Sequence, residues 1–206
     1  MNIEKYLNQL GKNSIEASNK IKSLTLVEKN SLLKSISKSI VEDKLDIIKA
    51  NNKDVEEAKE KLSKSMIDRL QLNDERIDGI IQSIETVISL PDPIGNILFT
   101  NTRPNGIKVE RVSVPLGVVG IIYESRPNVT VDASILCLKS GNSVILRGGS
   151  ESFNSNLQLV KSMQKACNNI GLDKNIIQFI ETTDRSAVDY MLSKMSDYID
   201  VVVPRG

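Results

Sequence analysis

The stretch from Pro115 to Asn156 contains two short apolar runs, and each of them ends in a loop rich in hydrogen-bonding groups. The first run, Val118 to Ile122, has no polar alternation, which is typical of a parallel strand covered on both faces. From Thr130 the apolar residues recur at helical spacing, and Gly141 then suits the C-terminal cap of a helix. The second apolar run follows at once. A strand, a helix and a strand in this order predict a parallel βαβ unit whose loops lie at one edge of the sheet.

The chain after this unit continues the alternation of strand and helix patterns. Apolar residues from Phe153 to Cys167 have helical spacing, and Ile176 to Ile180 is another short apolar run. A helical pattern over Ala187 to Met195 precedes a last apolar run from Ile199 to Val203. The order predicts an α/β fold with a doubly wound, Rossmann-like parallel sheet, the architecture that binds nucleotides. This fold alone does not specify a reaction.

The first hundred residues have helical rather than strand periodicity. Thr25 and Glu28 form a capping-box signature, and Asn73 suits the cap of a later helix that Pro91 would end. Between them we read the charged run from Lys53 to Lys61 as a solvated helix face. The apolar face of that helix is predicted to comprise Leu45, Ile48, Val55, Ala58 and Leu62.

Two extended segments surround an Asn-Gly turn at Asn105 and Gly106, which predicts a β-hairpin. Such a hairpin either lies along the edge of the main sheet or reaches to another subunit of a homo-oligomer, because unpaired strand edges invite pairing. The predicted division of the chain is residues 1–97 as the helical part of a cofactor domain, 98–114 as the hairpin and 115–206 as Rossmann-like βα units.

Composition excludes several classes of function. Lys and Arg (27) almost balance Asp and Glu (26), so we expect no binding to nucleic acid. No apolar run is long enough to span a membrane and the N-terminus has no signal-peptide layout, so we expect a cytoplasmic protein without a membrane partner. The sequence contains no histidine, which excludes histidine-based triads and HExxH zinc sites. We expect no metal site.

The two loops that follow the predicted strands contain the candidate site residues. Neither loop has the G-x-G-x-x-G or P-loop pattern. Arg147 with its two following glycines suits a phosphate, because guanidinium is a forked donor and glycine lets the backbone approach a ligand. Alternatively, Arg147 pairs with a surface carboxylate and the glycines only turn the chain. Asn128 is either a helix cap or an amide donor to an oxyanion.

The two cysteines, Cys137 and Cys167, lie within apolar helical patterns. Reactive thiols need an electropositive and partly exposed place, so we interpret both as inert thiols of the core. If Asn128 is an oxyanion donor, its nucleophile is expected beyond Gly206.

Three strings of the sequence resemble the glutamate-5-semialdehyde dehydrogenase family of the aldehyde dehydrogenase superfamily. These strings are PLGVVGIIYESRPNVTVDAS, CLKSGNSVILRGGSES and VVVPRG. The resemblance implies NADPH-dependent reduction of L-glutamyl 5-phosphate to L-glutamate 5-semialdehyde with release of phosphate, a step of proline biosynthesis. It also implies a covalent mechanism through a cysteine thioester. Members of the family continue for roughly as long again, so the chain is expected to be an N-terminal fragment that is inactive alone.

The resemblance assigns a role to each candidate residue. Asn128 matches the amide that stabilises the oxyanion, and Arg147 matches the basic residue that reaches the adenosine ribose. Gly148, Gly149 and Ser150 are implied to form the turn beside Arg147. The pocket and cofactor cleft are implied to be lined by Tyr123, Glu124, Ser125 and Arg126, and the loop under the cofactor phosphates to begin with Pro204, Arg205 and Gly206.

The expected cofactor is NADP(H) rather than NAD(H). Enzymes that select NAD place a carboxylate after the second strand, where it binds the ribose hydroxyls and repels a 2′-phosphate. Here Arg147 and Ser150 occupy that loop, and Glu151 is expected to point outward. A different class of function stays open, in which the chain is a stand-alone nucleotide-binding or assembly module without catalysis.

Overall fold

The computed structural model describes residues 2–205 and contains helices on both faces of a parallel sheet, together with a separate hairpin. Among these residues no helix has the length and apolar character needed to cross a membrane. The elements in chain order are α1 (Ile3–Ile21), α2 (Leu26–Glu42), α3 (Lys44–Ala58), α4 (Lys64–Leu70), α5 (Asp74–Ser89), β1 (Ile97–Thr102), β2 (Lys108–Val112), β3 (Val118–Tyr123), α6 (Pro127–Lys139), β4 (Ser143–Arg147), α7 (Phe153–Asn169), β5 (Ile177–Phe179), α8 (Ser186–Lys194) and β6 (Val201–Arg205).

The main sheet has four parallel strands in the order β5-β4-β3-β6. Successive side chains of a strand point to opposite faces, so Val119 and Val144 pack toward α6 and α7 while Val118 and Ile145 pack toward α1 and α8. Both faces are therefore covered, and the predicted α/β fold with a doubly wound sheet is confirmed. The absence of polar alternation in β3 and β4 follows from this burial.

The N-terminal helices pack directly on the sheet domain. The Thr25 hydroxyl accepts a hydrogen bond from the Glu28 amide at 3.3 Å, and the Glu28 carboxylate accepts one from the Thr25 amide at 2.7 Å. Asn73 caps α5 by accepting from the Arg76 amide at 2.9 Å. Both predicted caps are thus confirmed. Helices α2 and α3 pack against α7, and α5 packs against α6, so these helices share one core with the sheet.

Helix α3 buries only part of the face that its apolar residues predicted, since Ala58 is 2% exposed and Ile48 packs against the core. Leu45 is 82% exposed, whereas Ile47, Asn51 and Asp54 are buried. The interpretation of Lys53 to Lys61 as a wholly solvated face is therefore wrong at Asp54. The reason is that this part of α3 contacts the start of α7, where the carboxylate and the amide find hydrogen-bond partners.

Helix α6 begins at Pro127, earlier than the predicted start near Thr130. Proline suits the first turn because its ring presets φ and the missing N–H has no partner there in any case. The helix ends at the predicted glycine, Gly141, which has φ +72°. The Asn142 amide then donates to the Cys137 carbonyl at 2.9 Å, which is a Schellman ending.

The predicted hairpin forms and has its own two-stranded sheet. Strands β1 and β2 are antiparallel, and Gly106 at φ +86° closes the turn. Within residues 2–205 neither strand pairs with the main sheet, so the alternative that the hairpin extends that sheet is wrong. Both of its faces carry exposed apolar side chains, among them Leu98, Phe99 and Val109.

Candidate active site

The loops that follow β3 and β4 touch each other, as the parallel arrangement predicts. A Cβ atom on Gly149 would lie 2.8 Å from the Ser125 amide nitrogen, and one on Gly148 would lie 3.0 Å from the Tyr123 ring. Both distances are too short for a side chain, so the glycines are needed for the contact between the loops. The alternative that they only turn the chain is wrong.

The Glu151 carboxylate points into this contact. It accepts a hydrogen bond from the Ser125 hydroxyl and another from the Ser150 hydroxyl at 3.0 Å. The hydrogen bond from Ser125 lowers the pKa of Glu151, and the positive charge of Arg147 acts in the same direction. The expectation that Glu151 points outward is therefore wrong. A 3₁₀ turn over Ser150–Ser152 precedes α7 and gives Glu151 a direction that ordinary helical geometry does not predict.

The Arg147 guanidinium is buried and donates to backbone carbonyls. Its partners are the carbonyl of Gly148 and, at 3.2 Å, the carbonyl of Thr183 in the segment before α8. Burial lowers the pKa of Arg147. The alternative of a pair with a surface carboxylate is wrong, since both hydrogen bonds go to the main chain. Arg147 thus connects the loop after β4 with the loop after β5.

A cavity of about 400 Å³ opens beside these loops. Its walls include Arg147 and the segment from Gly148 to Glu151, and the first turn of α8 supplies Arg185 and Asp189. Arg185 is not among the residues that the sequence predicted for this site. It follows β5, the third strand of this sheet in chain order, so its position after a strand was a signal that it shares the edge with the other loops.

Tyr123 lies beneath the two loops. Its ring borders the cavity, while its hydroxyl is hydrogen-bonded to the Thr130 hydroxyl at 2.8 Å. Thr130 in turn donates to the Asn156 side chain at 2.9 Å. Burial raises the pKa of Tyr123. This buried chain of hydrogen bonds holds β3, α6 and α7 together below the site.

The loop after β3 contributes to a second, larger cavity on its other side. Its residue Glu124 lies 2.8 Å from the Arg126 Nε, an ion pair that is partly exposed and therefore adds little stability. Arg126 and Asn128 line the cavity of about 660 Å³ between α5 and the start of α6. Tyr123, at the end of β3, borders the first cavity and Arg126 the second, so one short stretch of chain separates the two cavities.

Asn128 is the second residue of α6, and its side chain faces the larger cavity. The amide Nδ2 donates to the Asp132 Oδ2 at 3.0 Å. Burial raises the pKa of Asp132, and the Asn128 hydrogen bond and the charge of Arg205 oppose that effect. The alternative that Asn128 caps the helix is wrong, because Arg126 holds the N-cap position. One amide N–H is bonded to Asp132, and the second points to no partner among residues 2–205.

Pro204 and Arg205 belong to β6 rather than to a loop. They pair with Ile122 and Tyr123 of β3, so the expectation that the strand stops before Pro204 is wrong. Within residues 2–205 β6 is an edge strand, and an edge strand tolerates a proline because one of its sides donates no ladder hydrogen bond. Gly206, the third residue assigned to that loop, lies outside the described residues.

Cys137 and Cys167 are both buried, as the sequence predicted. Burial raises the pKa of each thiol to about 12, so the thiolate is scarce at neutral pH and neither residue suits a nucleophile. Among residues 2–205 no three cysteine, aspartate or glutamate side chains form a group that suits a metal ion.

Comparison with known proteins extends the similarity over nearly the whole chain. The sequence profile of the Aldehyde dehydrogenase family matches residues 5–202. A gamma-glutamyl phosphate reductase of Persephonella marina is 47% identical over 100% of this chain and 46% of its own length. The corresponding reductase of Clostridium novyi is 46% identical over 100% of this chain and 49% of its own. The chain therefore spans about half the length of the curated relatives that it matches.

Solved structures show the same likeness. The gamma-glutamyl phosphate reductase of Thermotoga maritima superposes with a TM-score of 0.93 at 44% identity, covering 97% of this chain and 48% of that one. The enzyme of Saccharomyces cerevisiae gives 0.87 at 32% identity, covering 96% and 50%. A probable aldehyde dehydrogenase of Listeria monocytogenes, 15% identical with a TM-score of 0.72 over 96% of this chain and 41% of that one, shares the fold.

Proposed function

The chain belongs to the aldehyde dehydrogenase family, and from that premise we propose that it is part of an enzyme that reduces L-glutamyl 5-phosphate to L-glutamate 5-semialdehyde with NADPH. Phosphate is released, and the product is a precursor of proline. The observation that carries this proposal is the loop after β3, which separates a glycine-lined cavity from a cavity that contains the Asn128 amide. The similarity to gamma-glutamyl phosphate reductases over the whole chain supports the same substrate.

The smaller cavity has the features that a dinucleotide needs. Gly148 and Gly149 form part of its wall, and the cavity carries the cationic side chain of Arg185 and the hydroxyl of Ser150. These groups suit ribose and phosphate oxygens. When bound there, NADPH supplies the hydride for the reduction. The chain's own part is to hold the dinucleotide beside the loop after β3.

On the other side of that loop, Asn128 hydrogen-bonds to the acyl group of the substrate. Attack by a thiolate on the acyl phosphate places negative charge on the former carbonyl oxygen, and the second N–H of Asn128 donates to that oxygen. The carbon–oxygen bond to phosphate then breaks and the thioester forms. We propose that the thiolate belongs to a segment beyond Gly206, because both cysteines of this chain are buried.

The proposal can be tested with the natural enzyme that contains this chain, assayed in the reverse direction of the reaction. We expect oxidation of L-glutamate 5-semialdehyde to form NADPH, followed by absorbance, only when inorganic phosphate is present. Omission of phosphate is the control, because the thioester then has no acceptor. Turnover that is independent of phosphate would indicate an ordinary aldehyde dehydrogenase and overturn the proposed substrate.

For the choice between NADPH and NADH we propose that Arg185 contacts the 2′-phosphate. Arg147 is buried on two carbonyls, whereas Arg185 is exposed at the cavity, where its positive charge offsets the negative charge of the Glu151 carboxylate, which alone would disfavour a 2′-phosphate. The preference for NADPH thus rests on a residue outside the predicted set. Arg147 keeps the loops after β4 and β5 together and acts on both cofactors.

Replacement of Arg185 by alanine should raise the KM for NADPH by roughly tenfold and leave that for NADH nearly unchanged, because one charge-assisted hydrogen bond is lost. Replacement of Arg147 by alanine should weaken the binding of NADPH and NADH to the same extent. The control is Lys194→Ala, which removes an exposed cation at the far end of α8. If Arg147→Ala instead raised the KM for NADPH alone, Arg147 rather than Arg185 would be the residue that contacts the 2′-phosphate.

We also propose that the hairpin joins two copies of the enzyme. Apolar side chains on both of its faces are more than half exposed, including Ile97, Leu98 and Phe99. A two-stranded sheet with free edges is a suitable surface for pairing with a second copy. The division at residues 97 and 114 and the cytoplasmic location stay predictions.

A further inference from the structure

The larger cavity, between α5 and the start of α6, is lined mainly by charged and polar side chains. Its volume is about 660 Å³. Three guanidinium groups contribute to its walls, those of Arg69, Arg76 and Arg126. A simple aliphatic aldehyde needs none of these charges. A substrate with several charged groups, such as an amino acid with an acyl phosphate, suits them.

Asp132 brings a carboxylate into this cavity next to the proposed oxyanion donor. It lies one helical turn after Asn128 on the same face of α6, and its Oδ2 accepts from the Asn128 amide at 3.0 Å. The side chain also borders the adjoining groove between α5 and α6. Across that groove lie Gly79, which has no side chain, and Ser83, which has a short one, and both leave room beside the carboxylate.

The spacing fits the length of a glutamyl chain. The Asn128 Nδ2 and the Asp132 Oδ2 lie 3.0 Å apart, and ligand atoms bonded to the free N–H and to the other carboxylate oxygen would each lie about 3 Å further out. In a glutamyl group the acyl carbon and the α-nitrogen are separated by three carbon atoms, which span about 5 Å when extended. A substrate whose acyl oxygen contacts Asn128 can therefore place its α-ammonium beside Asp132.

We propose that Asp132 binds the α-ammonium of the substrate and so selects an α-amino acid over an aldehyde that lacks this group. The inference rests on the proposed function and deepens it. A carboxylate is the acceptor that an ammonium prefers, and one oxygen of Asp132 accepts from Asn128 while the other stays available. Arg76 is paired with Asp68 and Arg126 with Glu124, which leaves Arg69 as the guanidinium of the cavity that can meet the substrate's carboxylate or phosphate.

The test compares two aldehydes in the phosphate-dependent oxidation by the natural enzyme. L-Glutamate 5-semialdehyde has the α-amino group, and 5-oxopentanoate is the same chain without it. In Asp132→Asn the KM for the amino aldehyde should rise roughly 10- to 100-fold, because a charge-assisted contact is lost, while that for 5-oxopentanoate should not change. Asp78→Asn, on the exposed face of α5, is the matched control and should change neither value.

Equal loss on both aldehydes would overturn the inference, since Asp132 would then only orient Asn128. A binding experiment separates this failure from failure of the proposed function. L-Glutamine carries the α-amino group and a neutral side-chain amide, and calorimetry with the wild-type enzyme and Asp132→Asn should show binding lost in the variant. If that loss occurs although no phosphate-dependent turnover exists, the ammonium site stands and the proposed reaction falls. If turnover exists but L-glutamine binds both proteins equally, the reaction stands and the ammonium site falls.

Discussion

Replacement of Asn128 by alanine in the natural enzyme should lower kcat by roughly 100- to 1000-fold. Removal of one oxyanion donor has an effect of this size, because the donor acts on charge that develops only in the transition state. Cofactor binding should be unchanged, since Asn128 lines the cavity on the opposite side of the loop from the glycines. The measurements are kcat for phosphate-dependent oxidation of L-glutamate 5-semialdehyde and the dissociation constant of NADPH.

Thermal unfolding provides the structural check on this variant. Arg126 is the N-cap residue of α6, so loss of the Asn128 side chain removes no cap and should change stability little. Asn168→Ala, at an exposed position of α7, is the matched control for loss of an amide. A variant that unfolds more easily by about 1 kcal/mol but keeps its rate per folded molecule would assign Asn128 to helix stability instead.

Asn128 and Asp132 are predicted to act on different kinetic constants although they share a hydrogen bond. The oxyanion forms on every acyl substrate, so Asn128→Ala should lower kcat for both the amino aldehyde and 5-oxopentanoate. The ammonium is present in one of them, so Asp132→Asn should raise KM for that one. The pattern over two variants and two substrates therefore separates stabilisation of the transition state from recognition of the substrate.

The features of the fold that the sequence predicted correctly are those encoded by near neighbours. The capping box joins residues three apart, and the hairpin turn and the helix ending at Gly141 depend on single glycines with positive φ. Strand β3 was recognisable because full burial removes polar alternation. In each case the physical cause lies within a few residues of its effect.

The errors at the site concern side chains whose partners are distant in sequence. Glu151 turns inward because its hydrogen-bond donor Ser125 is 26 residues away, and Arg147 is buried because it reaches a carbonyl 36 residues away. Arg205 extends a strand because β3 continues beside it. The sequence predicts which loops meet at one edge of the sheet, since the topology brings the strand ends there, but it does not predict the direction of these side chains.

Asp54 is the clearest example of a buried residue whose burial its neighbours in the sequence do not predict. It lies in a run of charged residues that suggested solvent exposure, yet it is 2% exposed. Its carboxylate accepts from the Ser155 amide at 2.7 Å and from the Asn154 amide at 3.1 Å, and also from both side chains of these residues. These amides belong to the first turn of α7, whose own N-cap residue makes no side-chain hydrogen bond. Asp54 thus caps, from α3, the helix that follows the loop after β4.

The second large effect is expected from Asp54→Ala, which should lower the free energy of unfolding by about 3–5 kcal/mol. The change removes a carboxylate that accepts four hydrogen bonds and leaves the buried amide and hydroxyl of Ser155 without this acceptor. Denaturant unfolding measures the loss. The control is Asp46→Ala, which removes an exposed carboxylate from the same helix and should change stability by less than about 0.5 kcal/mol.

Asp54→Ala should also have a second effect, because α7 lies directly after the loop that follows β4. The helix begins at Phe153, directly after the turn Ser150–Ser152 that places Glu151, so loosening its first turn should also loosen the loop. In Asp54→Ala we therefore expect weaker binding of NADPH and NADH alike, measured at a temperature where the variant is still folded. Equal stability of Asp54→Ala and Asp46→Ala would show that water replaces the carboxylate at the start of α7. The loop would then be held by Arg147 and the Ser125 contact without help from α3.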